Sequence, residues 1–142
     1  MPAFKKLFLF IPLLVLSFYS CSKDDDSNLI TNSPLEGKWQ FTKEGTITNN
    51  REVLNNYQHT TGCTKDYIEL LTGNIVKDHY FDNPDCQETI DTGNWSRNNN
   101  SLVLTYSGES TVSAQILELN QTTLKVSFFI SGEKHVVIFT RI

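Results

Sequence analysis

Histidine is scarce and scattered in this chain. His59, His79 and His135 are its three histidines among 142 residues. No His-x-His, His-x-x-x-His or His-Glu-x-x-His spacing draws two of them onto one face. A metal site needs several converging ligands, so no metal is expected. The three cysteines form no Cys-x-x-Cys pair, which argues against dithiol redox chemistry. No Gly-x-Ser-x-Gly elbow, phosphate-binding loop or dinucleotide fingerprint occurs. Basic residues are outnumbered, 12 Lys+Arg against 16 Asp+Glu, for a net charge of -4. Nothing here neutralises a phosphate backbone, so nucleic acid is not an expected partner. Carboxylates are plentiful at Asp66, Glu69, Asp78, Asp82, Asp85, Glu88 and Asp91. Two could face each other across a hairpin, as glycoside hydrolysis requires, but no local motif selects a pair. Asp24, Asp25 and Asp26 lack the spacing of an ordered calcium loop. The chain is read as a non-enzyme without a cofactor.

A bilayer-spanning run is also missing. The apolar stretch LFLFIPLLVLSFYS, residues 7–20, is short for a permanent transmembrane helix. Lys5 and Lys6 precede it and Ser20 ends it, the layout of a secretory signal. A retained helical anchor is the alternative. Leu16, Ser20 and Cys21 resemble the lipobox of bacterial lipoproteins, with Phe18 and Tyr19 bulkier than the enterobacterial pattern. The resemblance implies cleavage before Cys21 and acylation of Cys21, with the bilayer as partner. Each buried methylene of an acyl chain contributes about 0.8 kcal/mol, and two or more chains anchor stably. SKDDD, residues 22–26, resembles the export signal of Bacteroidota surface lipoproteins. The expected location is the outer membrane, facing periplasm or cell surface. Residues 21–34 then form a polar tether, and loss of Lys5 and Lys6 makes the mature chain more acidic. With Cys21 on lipid, Cys63 and Cys86 are left as an even pair in an exported protein, which reads as one disulfide. Two free thiols are the alternative.

From Leu35 onward the chain shows short strands broken by turn residues, without sustained helical periodicity. KWQFTKE (38–44) puts Trp39 and Phe41 on one face, and GTITNN (45–50) reads as a turn or loop. EVLNNYQHTTG (52–62) is weak, either a ragged strand or a turn of helix. DYIELL and IVKDHYF flank TGN as a hairpin. DNPDCQETID (82–91) reads as a loop, since Pro84 discourages a regular element. GNWSRN, SLVLTYS, TVSAQILEL, LKVSFFI and KHVVIFTRI follow as strands joined by short turns. The expectation is an all-β antiparallel up-and-down meander of about eight strands. Closure into a barrel protects its edges most simply, and a two-sheet sandwich is the competitor.

The segments LEGKWQF (35–41), CTKDYIEL (63–70), TGNWS (92–96) with SLVLTY, and the closing IFTRI resemble the lipocalin-like lipoproteins of Bacteroidota across residues 35–142. The resemblance implies that Gly37 turns the chain into the first strand, Trp39 closes the barrel base, and Arg141 packs over Trp39 as a cation–π lid. The inward faces should carry Phe41, Ile68, Leu70, Leu102, Leu104, Tyr106, Leu124, Val126 and Phe128. Val76, Val103, Leu117, Leu119 and Phe129 should fall on the opposite face. An eight-stranded barrel holds either packed side chains or one small ligand. The implied function is binding of a small hydrophobic ligand. The alternative is a filled barrel whose outer surface binds protein or glycan.

Overall fold

A computed structural model describes residues 33–108 and 110–142. The signal segment 1–20, Cys21 and the tether as far as residue 32 lie outside the described residues. The described residues form nine strands and no helix: β1 Gly37–Thr48, β2 Arg51–Asn56, β3 Tyr67–Leu71, β4 Ile75–Tyr80, β5 Thr89–Asn98, β6 Ser101–Tyr106, β7 Thr111–Leu119, β8 Thr123–Ile130 and β9 Glu133–Arg141. Every pairing is antiparallel. From β3 to β9 each strand pairs with the next, and β9 returns to β1 to close the barrel. β1 is shared by three neighbours. Its first residues, Gly37 to Gln40, pair with β3, its last residues pair with β2, and its other edge pairs with β9. The result is an eight-stranded closed barrel with β2 as an extra strand.

Two loop expectations are corrected. GTIT is not a turn: β1 runs on to Thr48, and the turn is Asn49-Asn50, with φ of 51° and 59°. Two consecutive positive φ values are what a two-residue type I′ hairpin turn requires, and asparagine tolerates them. β2, the weak segment, is therefore a strand zipped onto β1. The loop after Pro84 is shorter than its polar composition suggests. Thr89 already pairs with Tyr80, and Asp91 with Asp78.

The β1–β2 hairpin folds back over the outside of the barrel. Ser127, Val136 and Gly45 form one cross-strand row on β8, β9 and β1. This row faces away from the interior, yet Ser127 and Val136 are fully buried. Lys125 of β8 bonds Glu52 of β2 at 2.7 Å, which pins the flap. Gly45 makes the fold-back feasible, because a Cβ there would lie 1.9 Å from the backbone oxygen of Val53.

The core lies inside the barrel, where Trp39, Leu70, Val76, Ile116, Leu119 and Leu124 are almost wholly excluded from solvent. Val76 and Leu119 belong to this core cluster and do not lie on the outer face. Val76 shares the inward face of β4 with Asp78 and Tyr80, opposite Leu70 and Ile68. Leu119 is turned inward by a bulge between Ile116 and Glu118, which shifts the alternation of β7 by one residue. Phe129 does point outward and is 69% exposed.

Cys63 and Cys86 form a disulfide with Cα atoms 5.2 Å apart. It ties the β2–β3 connection to the β4–β5 connection. Beside it, the backbone N–H of Asp66 donates to His59 Nδ1 at 3.0 Å, and His59 Nε2–H donates to the Phe41 carbonyl at 2.9 Å. His59 Nδ1 also lies 3.4 Å from Asp66 Oδ2. Asp66 Oδ1 accepts from the Phe81 N–H at 2.8 Å. His59 and Asp66 are thus structural, holding this connection against β1 and β4.

Candidate functional site

One end of the barrel is sealed. Trp39 is completely buried, and its indole N–H donates to the Leu35 carbonyl at 2.8 Å. The Arg141 guanidinium lies over its ring, 4.0 Å from the centroid. Arg141 also donates to the carbonyls of Glu36 (2.7 Å), Gln121 (3.0 Å) and Pro34. Gly37 makes room for it: φ is 131°, and a Cβ there would meet Arg141 Nη1 at 2.5 Å. The structure thus brings Gly37, Trp39 and Arg141 into one contact set that fixes the entering chain, the last strand and the β7–β8 turn together.

Above this plug the interior is not filled. A cavity of about 390 Å³ remains. Phe41, Ile68, Leu70, Leu102, Leu104, Tyr106, Leu124, Val126 and Phe128, the nine inward candidates, all line it, with Val112, Ala114, Val137 and Phe139. The reason is period two: on β6 and β8 alternate apolar residues share the inner face. Phe41 stacks with Tyr57 at 4.8 Å and packs at a tilt against Phe139, with ring centroids 4.7 Å apart. The lining residues that are also solvent-exposed, Asp91, Ser107 and Ser110, mark the mouth.

One wall is polar. Asp78 faces the cavity and is only 7% exposed. Its Oδ2 accepts from Tyr80 Oη at 3.0 Å and from Tyr106 Oη at 2.8 Å. Its Oδ1 is buried with no partner among the described residues. Burial pushes the Asp78 carboxyl above the ordinary carboxylate range. Asp91 adds repulsion in the same direction, while the two phenols and His79 oppose it. Burial and the Asp78 charge push both phenols above their ordinary value, so they remain donors. The sequence offered Asp78 and Asp91 only among seven unselected acids. The available signal was the mixed face Val76-x-Asp78-x-Tyr80, which hairpin register sets beside Ile68 and Leu70.

The remaining acids do not converge on the cavity. Glu88 bonds His79 Nδ1 at 2.7 Å, and Glu69 lies 3.7 Å from its Nε2. His79 stacks on Tyr67 at 4.2 Å. Among the described residues, no group of three or more His, Cys, Asp or Glu side chains could hold a metal ion.

A closed antiparallel barrel with a plugged base and an apolar cavity has relatives. The family profile of the lipocalin-like domain matches residues 35–126. The chain belongs to the lipocalin-like domain family. Among solved structures, a lipocalin-like protein from Bacteroides uniformis ATCC 8492 matches with a TM-score of 0.59 at 13% identity, covering 76% of this chain and 98% of its own. An uncharacterized protein from Bacteroides eggerthii DSM 20697 matches with a TM-score of 0.55 at 8% identity, covering 77% and 100%. At such identities these two share the fold alone. No curated protein matches the chain. In this lipocalin-like domain Trp39 and Arg141 plug one end, and the Asp78–Tyr80–Tyr106 cluster forms part of the cavity wall.

Proposed function

We propose that this lipocalin-like domain takes up one small, largely hydrophobic molecule in the barrel while an acylated Cys21 holds the protein at the outer membrane. The observation that supports binding is the cavity of about 390 Å³ inside a closed barrel, lined mainly by aliphatic and aromatic side chains. Pre-formed apolar cavities of a few hundred cubic ångströms with a few polar groups are the usual form of a small-molecule site. The filled-barrel alternative required large inward side chains to occupy the whole interior. The cavity removes that premise. The role is binding rather than catalysis.

Uptake of the apolar dye Nile red tests the reading. The full-length protein is expected to enhance its fluorescence saturably. Ala114→Phe, which adds a ring to the cavity wall, is expected to weaken uptake roughly tenfold with the fold intact by circular dichroism. Equal uptake by both proteins places the dye elsewhere and defeats the cavity reading. The anchor has its own test. Metabolic labelling with radioactive palmitate is expected to mark the protein and to be lost in Cys21→Ser. An unlabelled wild-type chain retaining its signal segment overturns the lipoprotein assignment.

A further inference from the structure

The cavity wall is electrically one-sided. It carries two carboxylates, Asp78 and Asp91, and no lysine, arginine or histidine among the described residues. The two acids are direct partners across the β4–β5 ladder. Such partners have Cβ atoms about 5 Å apart and share a face, where like charges destabilise the pair. Asp78 is more than nine-tenths buried, and one of its oxygens has no partner among the described residues. A packed wall would place a cation or an apolar pair here, since a buried charge left unpaired is costly. The cluster thus resembles half of an ion pair whose other half is not supplied by the described residues.

We propose that the cavity selects a small amphiphilic amine, its apolar body among the aliphatic and aromatic residues and its protonated ammonium group beside Asp78 and Asp91. This rests on the cavity being the binding site and specifies what occupies it. The ammonium offsets the repulsion between the carboxylates. The phenols of Tyr80 and Tyr106 both donate to Asp78 Oδ2, which holds that oxygen in place and fixes the carboxylate before the ligand arrives. An inorganic cation would leave the apolar remainder of the cavity unused. A fatty acid would bring a third negative charge to the same wall, and the low-polarity surroundings strengthen that repulsion. Hydrophobic ligands are therefore sorted by the sign of their polar end.

Three probes share one apolar body: 2-phenylethylamine, 2-phenylethanol and phenylacetate. Isothermal titration calorimetry on the full-length protein is expected to show the amine binding at least about tenfold more tightly than the alcohol, with no heat from phenylacetate. Asp78→Asn is expected to remove this preference while the alcohol binds as before. Asp91→Asn, at an exposed site, is expected to reduce amine affinity roughly threefold, and it carries the test should Asp78→Asn not fold. Amine and alcohol of equal affinity, phenylacetate binding, or an amine indifferent to Asp91→Asn each overturn the proposal. Nile red uptake separates the two levels. If it persists in those cases, the cavity remains a binding site with other selectivity. If neither dye nor probes bind, both readings fall.

Discussion

Trp39→Ala is expected to lower the stability of the domain by about 4 kcal/mol, the usual cost of truncating a large, fully buried aromatic. Trp39 has no solvent exposure, and it packs within the core cluster containing Leu35, Leu70 and Leu124. Its removal also orphans the Leu35 carbonyl and takes the aromatic face from beneath Arg141. For a domain of this size the loss is on the order of 20 °C in Tm. Urea denaturation followed by Trp95 fluorescence reads it, because Trp95 is buried and hydrogen-bonded to the Leu71 carbonyl. A change below about 1 kcal/mol would show that the plug carries little of the stability. Arg141→Lys separates packing from bonding. A single ammonium lacks the planar fork that reaches three carbonyls in two segments, so it is expected to recover only part of what Arg141→Ala loses.

The second large effect belongs to the disulfide. Replacing Cys63 and Cys86 together by serine is expected to cost about 3 kcal/mol, the chain-entropy value for a link of 23 residues. The β2–β3 connection that it holds contributes Tyr57, which stacks on the cavity-lining Phe41, and Phe41 stacks in turn with Tyr80. The bond therefore restrains a loop beside the cavity as well as the unfolded chain. Urea midpoints of wild type with and without reductant, and of the double serine variant, provide the measurement. Reduced wild type and the variant should coincide, both below the oxidised protein. Coincidence of all three would show that the bond is stabilising nothing.

The second half of the barrel was legible because its strands alternate cleanly. LKVSFFI places Leu124, Val126 and Phe128 together by period two alone, and all three line the cavity. The first half was less so, for identifiable reasons. Gly45 looked like a turn residue, but it is a strand residue made small by the backbone that crosses it. Asn49-Asn50 was the real turn signal. Leu119 was assigned to the wrong face because a bulge leaves no mark in the residue types around it. The polar wall was hidden for a different reason. A buried aspartate among aliphatic neighbours contradicts the pattern by which inward faces are recognised, and only the partnership of β3, β4 and β5 reveals it. At Asp78, unlike at Gly45 and Leu119, the departure from the hydrophobic pattern coincides with the proposed binding group.

Closure of the barrel joins the first and last of the described strands. Thr42 bonds the carbonyl of Ile138, 96 residues away, and Trp39 is opposite Arg141 in the β1–β9 ladder. No shorter piece of the chain can complete this sheet. As the polypeptide emerges from the ribosome, β1 is the first of the described strands to be made, and the strand that covers its edge, β9, is the last. Folding of this topology is dominated by a late, long-range contact, which makes it slow. Until then an unpaired edge stays available to other chains. Under the outer-membrane anchoring proposed above, the chain would cross unfolded, because the barrel closes only once β9 is available.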